Sequence, residues 1–112
     1  MDILFANSHM RRLFNSAKRL AVAYGPRRAG LIHQKLLELR AAEVLEDLRM
    51  LPGPRCHELT QNRKGQLAVD LDHPARLVLE PADVPVPRKE DGGLDWSRIT
   101  AVRVLEVVDY HG

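Results

Sequence analysis

The run Ile99-Thr100-Ala101-Val102-Arg103-Val104-Leu105-Glu106-Val107-Val108 constrains this chain more than any other stretch. Only Thr100, Arg103 and Glu106 interrupt its apolar and β-branched residues, a composition that suits a pleated strand. It reads as a strand in the middle of a sheet, with layers packed on it and little solvent-facing surface. The residues after it, Asp109-Tyr110-His111, change to side chains that exchange protons or hydrogen bonds. A rigid strand ending in a polar triplet is a good mount for a site. A plain solvated strand end carries the same residue types.

The preceding chain supplies the elements that such a strand needs. Asp2-Ile3-Leu4-Phe5-Ala6 reads as a first strand, and Ser8 (or Asn7) as the N-cap of a helix. Met10, Leu13, Phe14, Ala17, Leu20, Ala21 and Tyr24 recur at helical spacing and predict one helix, ended by Gly25. Pro26 can open a second helix, antiparallel to the first, running towards Leu48 with a bend or break near Arg40 to Ala42. His33 reads as a solvated helix residue. Leu51-Pro52-Gly53-Pro54 stops the helix. Short strands follow at Arg55 to Leu59, Gln66 to Leu71 and Ala75 to Glu80. A long connection, Pro81 to Arg98, contains three prolines and Trp96, which reads as an anchor to the body.

These elements predict an α+β domain: two N-terminal antiparallel helices packed on a mainly antiparallel sheet of four to five strands. At 112 residues the chain suits a single domain spanning 1–112. Its 45% apolar and 29% charged residues are globular values. No apolar run outside the last strand is long enough to span a bilayer, and no secretory pattern is visible, so no membrane partner and a cytoplasmic location are expected. The single cysteine, Cys56, excludes an internal disulfide and offers no Cys-x-x-Cys metal pair. Charge is unevenly spread. Residues 1–56 hold ten Lys/Arg against five Asp/Glu, whereas residues 57–112 hold seven against ten. The basic half suits a phosphate-bearing partner, or simply ordinary exposed helix faces.

Several stretches together resemble the HigB-like toxins, the "killer" branch of the RelE/ParE superfamily of bacterial toxin–antitoxin systems. They are Leu39-Arg40-Ala41-Ala42, Leu45-Glu46-Asp47-Leu48, Pro52-Gly53, His57-Glu58-Leu59, Asn62-Arg63-Lys64-Gly65-Gln66, Arg76-Leu77 and Glu106-Val107-Val108-Asp109-Tyr110-His111. The sequence departs from that pattern at Thr60, Gln61, Ala75 and Leu79. The resemblance implies a RelE-like fold and a toxin that works on the ribosome as a messenger RNA endonuclease. It also implies a helix-turn-helix antitoxin as partner, and neither cofactor nor metal. By the same resemblance His57, Asp109, Tyr110 and His111 fall on catalytic positions and Arg76 on a phosphate-binding one, and Arg63 and Lys64 join Arg76 as candidate RNA contacts.

Those residue types fit metal-independent cleavage by the RNA 2′-hydroxyl. That reaction needs a base for the hydroxyl proton, an acid for the departing 5′-oxygen and a cation for charge growing on phosphorus. Histidine, with an unperturbed pKa of about 6.5, suits either proton-transfer role, so His57 and His111 are the candidates. Arg63 and Arg76 stay charged and clamp phosphate. Tyr110 can stack on a base, and Asp109, on the same strand face as His111, can orient its ring. Tyr110 points the other way unless the strand end curls. Two further classes remain open: a gyrase poison of the ParE kind, which has no use for a histidine pair, and a catalytically silent antitoxin-binding co-repressor. Cys56, facing away from His57, reads as core filler.

Overall fold

A computed structural model describes residues 1–51 and 55–109. The architecture is α+β: a mixed five-stranded sheet with helices against one face. The strands are β1 (Asp2–Phe5), β2 (Cys56–Glu58), β3 (Leu67–Asp70), β4 (Ala75–Pro81) and β5 (Ala101–Asp109). Their order across the sheet is β1-β5-β4-β3-β2. Only the β1–β5 pair is parallel; the other three pairs are antiparallel.

Three helices, rather than the expected two, separate β1 from β2: α1 (Ser8–Phe14), α2 (Ala17–Tyr24) and α3 (Pro26–Ala41). The apolar spacing from Met10 to Tyr24 runs on unbroken, but the local hydrogen bonding of Asn15 and Ser16 overrides it. At the end of α1 the Asn15 N–H donates to the Arg11 carbonyl at 3.1 Å and the Ser16 N–H to the Leu13 carbonyl at 3.3 Å. Ser16 takes an extended conformation and its Oγ accepts from the Arg19 N–H at 3.1 Å, so it caps α2. Asn7, not Ser8, caps α1, accepting from the Met10 N–H at 2.8 Å. Gly25 joins α2 to α3 at φ 83°, which glycine alone adopts without strain, and Pro26 opens α3 at its first turn.

The break near Arg40 to Ala42 occurs as expected. Ala42 is extended, and a 3₁₀ turn over Leu45–Met50 replaces further α-helix. The Asp47 carboxylate accepts the Glu43 and Val44 N–H groups and so fixes the turn's start. Ile32, Leu36 and Leu39 of α3, with Leu45 of the turn, are fully shielded against Leu67, Leu77, Leu79, Val102 and Val104 of the sheet.

β5 lies inside the sheet, flanked by β1 and β4, but helices cover only one of its faces. Val102 and Val104 are buried, whereas Ala101, Arg103 and Leu105 are half-buried and Glu106 is exposed. A register irregularity at Val78/Leu79 explains the misleadingly continuous apolar run. Leu79 pairs with Val104 and Val78 with Glu106, so Leu105 is an extra residue. The bulge reverses the alternation, and Val107 as well as Val104 packs towards the core.

The connection after β4 is ordered by specific ties. Asp83 accepts from Thr100 N, Thr100 Oγ1 and Ala101 N at 2.6–3.1 Å. Burial alone would raise its pKa, but these hydrogen bonds outweigh it and hold the carboxyl below its ordinary value. Trp96 donates its indole N–H to Glu58 Oε2 at 3.1 Å, with the Arg49 guanidinium 4.0 Å over its ring. Leu94, Trp96 and Ile99 are buried, as the anchoring role of Trp96 requires.

Cys56 packs against the core, and burial pushes its thiol pKa up to about 12. The native protein at neutral pH is therefore expected to resist iodoacetamide over a time in which the denatured chain is fully alkylated; mass spectrometry of both samples checks this.

Candidate functional site

Strand register decides which candidate residues can meet. His57 pairs with Ala68, Ala68 with Val78, and Val78 with Glu106, so these four share one row and one face. Cys56 and Leu67, their neighbours along the strands, pack into the helix-covered core. The His57 row therefore lies on the face opposite the helices, where Ala68 and Val78 are nonetheless fully shielded from solvent and His57 and Glu106 are the more accessible ends of the row. In the next row on that face Asp70 pairs with Arg76, and Arg76 with Val108. The row on the other side carries Glu80 opposite Arg103.

Arg63 joins this face from the turn between β2 and β3. Its guanidinium donates to Gln66 Oε1 at 2.9 Å and to Glu106 Oε2 on β5 at 3.3 Å. Because β4 lies between β3 and β5, Arg63 reaches across β4, whose Val78 pairs with Glu106 and is buried, to make that contact. Lys64 and Gly65 (φ 93°) form the tight part of the same turn, and Lys64 is exposed. It lines a small cleft of about 230 Å³ with Arg88 of the 82–98 connection.

The sheet thus puts His57, on the edge strand β2, and Arg76, two strands away on β4, on one face with Arg63, and Lys64 lies at its margin. It also supplies carboxylates that sequence reasoning did not single out. Arg63 pairs with Glu106, Arg103 with Glu80 at 3.1 Å, and Arg76 Nε lies 3.4 Å from Asp70 Oδ1. That last contact is an ion pair without hydrogen-bond alignment, and it leaves a shielded carboxylate oxygen without a hydrogen bond among the described residues. The cross-strand position of these acids follows from register, which residue spacing alone does not reveal. Half-exposed ion pairs of this kind contribute roughly 0–1 kcal/mol each, so an incoming phosphate displaces a carboxylate at small cost.

Asp109 is not part of that group. The bulge in β5 puts it opposite Ala75, on the helix side of the sheet. There Arg28 of α3 bridges two acids: Nε and Nη2 bind Asp72 at 2.8 and 3.2 Å, and Nη1 lies 3.5 Å from Asp109 Oδ2. The hydrogen bonds from Arg28 hold the Asp72 carboxyl below its ordinary pKa. A depressed carboxyl pKa contributes stability above the unfolded value, about 3.9 for Asp, which is lost as pH falls through the folded value. Asp72→Asn is accordingly expected to cost about 1 kcal/mol or less at pH 7 and nothing once acid has protonated Asp72 in both states; urea titrations of both proteins from pH 7 to pH 2 measure the convergence.

Tyr110 and His111 lie outside the described residues, so the second histidine and the aromatic member of the candidate set have no structural placement here. Among the described residues no group of three or more His, Cys, Asp or Glu side chains is arranged to hold a metal ion, and no helix is long and apolar enough to cross a membrane. Comparison with family models, with curated proteins and with solved structures finds no match to this chain.

Proposed function

We propose that this protein is the toxin of a type II toxin–antitoxin system, a HigB-like, RelE-fold endoribonuclease that cuts messenger RNA on the ribosome. The observation that carries this reading is the shared placement of His57, Arg63 and Arg76 on the helix-free face of the sheet. An RNA strand laid across that face meets an imidazole and two permanent cations, with Lys64 at the rim.

In the proposed reaction the 2′-hydroxyl attacks the adjacent phosphorus, the P–O5′ bond breaks, and the products are a 2′,3′-cyclic phosphate and a free 5′-hydroxyl. One histidine takes the 2′ proton and the other protonates O5′; His57 and His111 share these roles. Arg76 and Arg63 stabilise the charge that grows on the phosphoryl oxygens. Tyr110 stacks on a base. Asp109 is a positioning residue: its tie to Arg28 fixes the end of β5 from which Tyr110 and His111 continue. The ribosome, message and a helix-turn-helix antitoxin are the partners of this reading, and the cytoplasm is its compartment.

A second reading has its own support. Glu106 and Asp70 pair with Arg63 and Arg76 and neutralise the open face, as suits a silent antitoxin-binding co-repressor. Induced expression separates the two. The nuclease reading expects growth arrest, relief by the antitoxin, and new message ends in coding sequence by primer extension. Normal growth at verified soluble expression favours the silent binder. Charge removal on the face sharpens the choice: Glu106→Gln should tighten binding of single-stranded RNA if Arg63 contacts phosphate, and leave it unchanged otherwise.

A further inference from the structure

We infer that the outer edge of β1 is a docking site for an extended, acidic peptide segment of a partner protein, which adds to the sheet as a sixth strand. This rests on a part of the molecule remote from the open-face chemistry and stands whether or not the chain cuts RNA.

β1 is an edge strand with β5 as its only neighbour in the sheet. In the parallel β1–β5 ladder, Asp2 N donates to Thr100 O at 3.1 Å and Ala6 N to Val104 O at 3.0 Å. Alternate residues of a parallel strand direct both backbone groups to the same side. Asp2, Leu4 and Ala6 therefore face β5, and the N–H and C=O groups of Ile3 and Phe5 face outward. No other described strand pairs with them. The edge is short, four residues beginning with the exposed Asp2, but it carries no lysine, proline or bulge.

A groove of about 490 Å³ runs along this edge, walled on the helix side by Arg11 of α1, by Asn15 just after α1 and by Arg40 at the end of α3. Arg40 donates to Asn15 Oδ1 at 3.3 Å, which holds it over the groove. Neither Arg11 nor Arg40 pairs with a carboxylate among the described residues, and none of the groove's described lining residues is acidic. On the open side of the same edge Leu4 is 41% exposed.

These features specify the occupant. Outward N–H and C=O groups in alternation match another peptide backbone, which a nucleic acid cannot supply. The added strand's side chains alternate between the two faces, so acids on the helix side meet Arg11 and Arg40 while apolar residues on the other side cover Leu4. A second copy of this chain fits badly. Pairing β1 with β1 about a two-fold axis normal to the sheet would bring both copies' Arg11 and Arg40 to one seam.

Fluorescence anisotropy with a labelled hexapeptide of alternating Glu and Val tests the inference on the full chain. Saturable binding is expected. It should be abolished when alternate peptide amides are N-methylated, and weakened at least about tenfold by Arg11→Glu with Arg40→Glu or by a Lys-Val peptide. No saturable binding, or equal binding of the N-methylated or Lys-Val peptides, overturns it. Displacement of the peptide by single-stranded RNA in an Arg11- and Arg40-dependent manner would instead assign the groove to nucleic acid. A concentration-dependent dimer abolished by Leu4→Lys would assign it to a second copy.

Discussion

His57→Ala is expected to slow cleavage of ribosome-bound message about a hundredfold or more, the usual size of a lost acid or base. Folding should hardly register the change. His57 sits on the short edge strand β2, half-buried, and its backbone pairing with Ala68 needs no imidazole. The melting temperature should therefore stay within about two degrees of the parent value. Arg76→Ala should show the same dissociation between activity and stability, because its half-exposed ion pair with Asp70 contributes little to folding. If His57 and His111 act in one step, the double substitution should cost much less than the product of the single losses. Equal losses of activity and thermal stability would make His57 a structural residue of the β2 edge.

The largest effect on stability should come from Leu77→Ala. Leu77 lies in β4, the central strand, with Val69 and Val107 beside it in register and no solvent exposure. Removing its side chain leaves a cavity that the flanking strands cannot close without breaking register, at a cost of about 2–5 kcal/mol. That is a large fraction of the total stability of a domain this size, about 5–15 kcal/mol. Val22→Ala provides the contrast: Val22 is an exposed helix residue, and its truncation should change stability by less than about 0.5 kcal/mol. Chemical denaturation of the three proteins, with equal slopes, checks both expectations.

Much of the architecture was legible because periodicity and punctuation agreed. The strands at Cys56, Leu67 and Ala75, the glycine–proline joint at Gly25 and the break after Ala41 all follow from local signals. The division of the first helix also has a local signal, because Asn15-Ser16 can end one helix and cap the next despite the continuous apolar spacing around them. The bulge in β5 was not legible. One extra residue, Leu105, merges two alternating patterns into a run that looks apolar on both faces, and only the register with β4 separates them. The same bulge decided part of the candidate site. It sent Asp109 to Arg28 on the helix side, while His57, Arg63 and Arg76 stayed on the open face. The acids at Asp70 and Glu106 became part of the picture only through cross-strand pairing, which joins residues far apart in sequence.

The most direct test of the open-face reading is cleavage of an end-labelled message by the purified protein, with and without programmed ribosomes. Ribosome-dependent cuts are expected, leaving 2′,3′-cyclic phosphate ends and disappearing with His57→Ala and with Arg76→Ala. An intact message at stoichiometric protein, or cuts that persist in both variants, would contradict that reading.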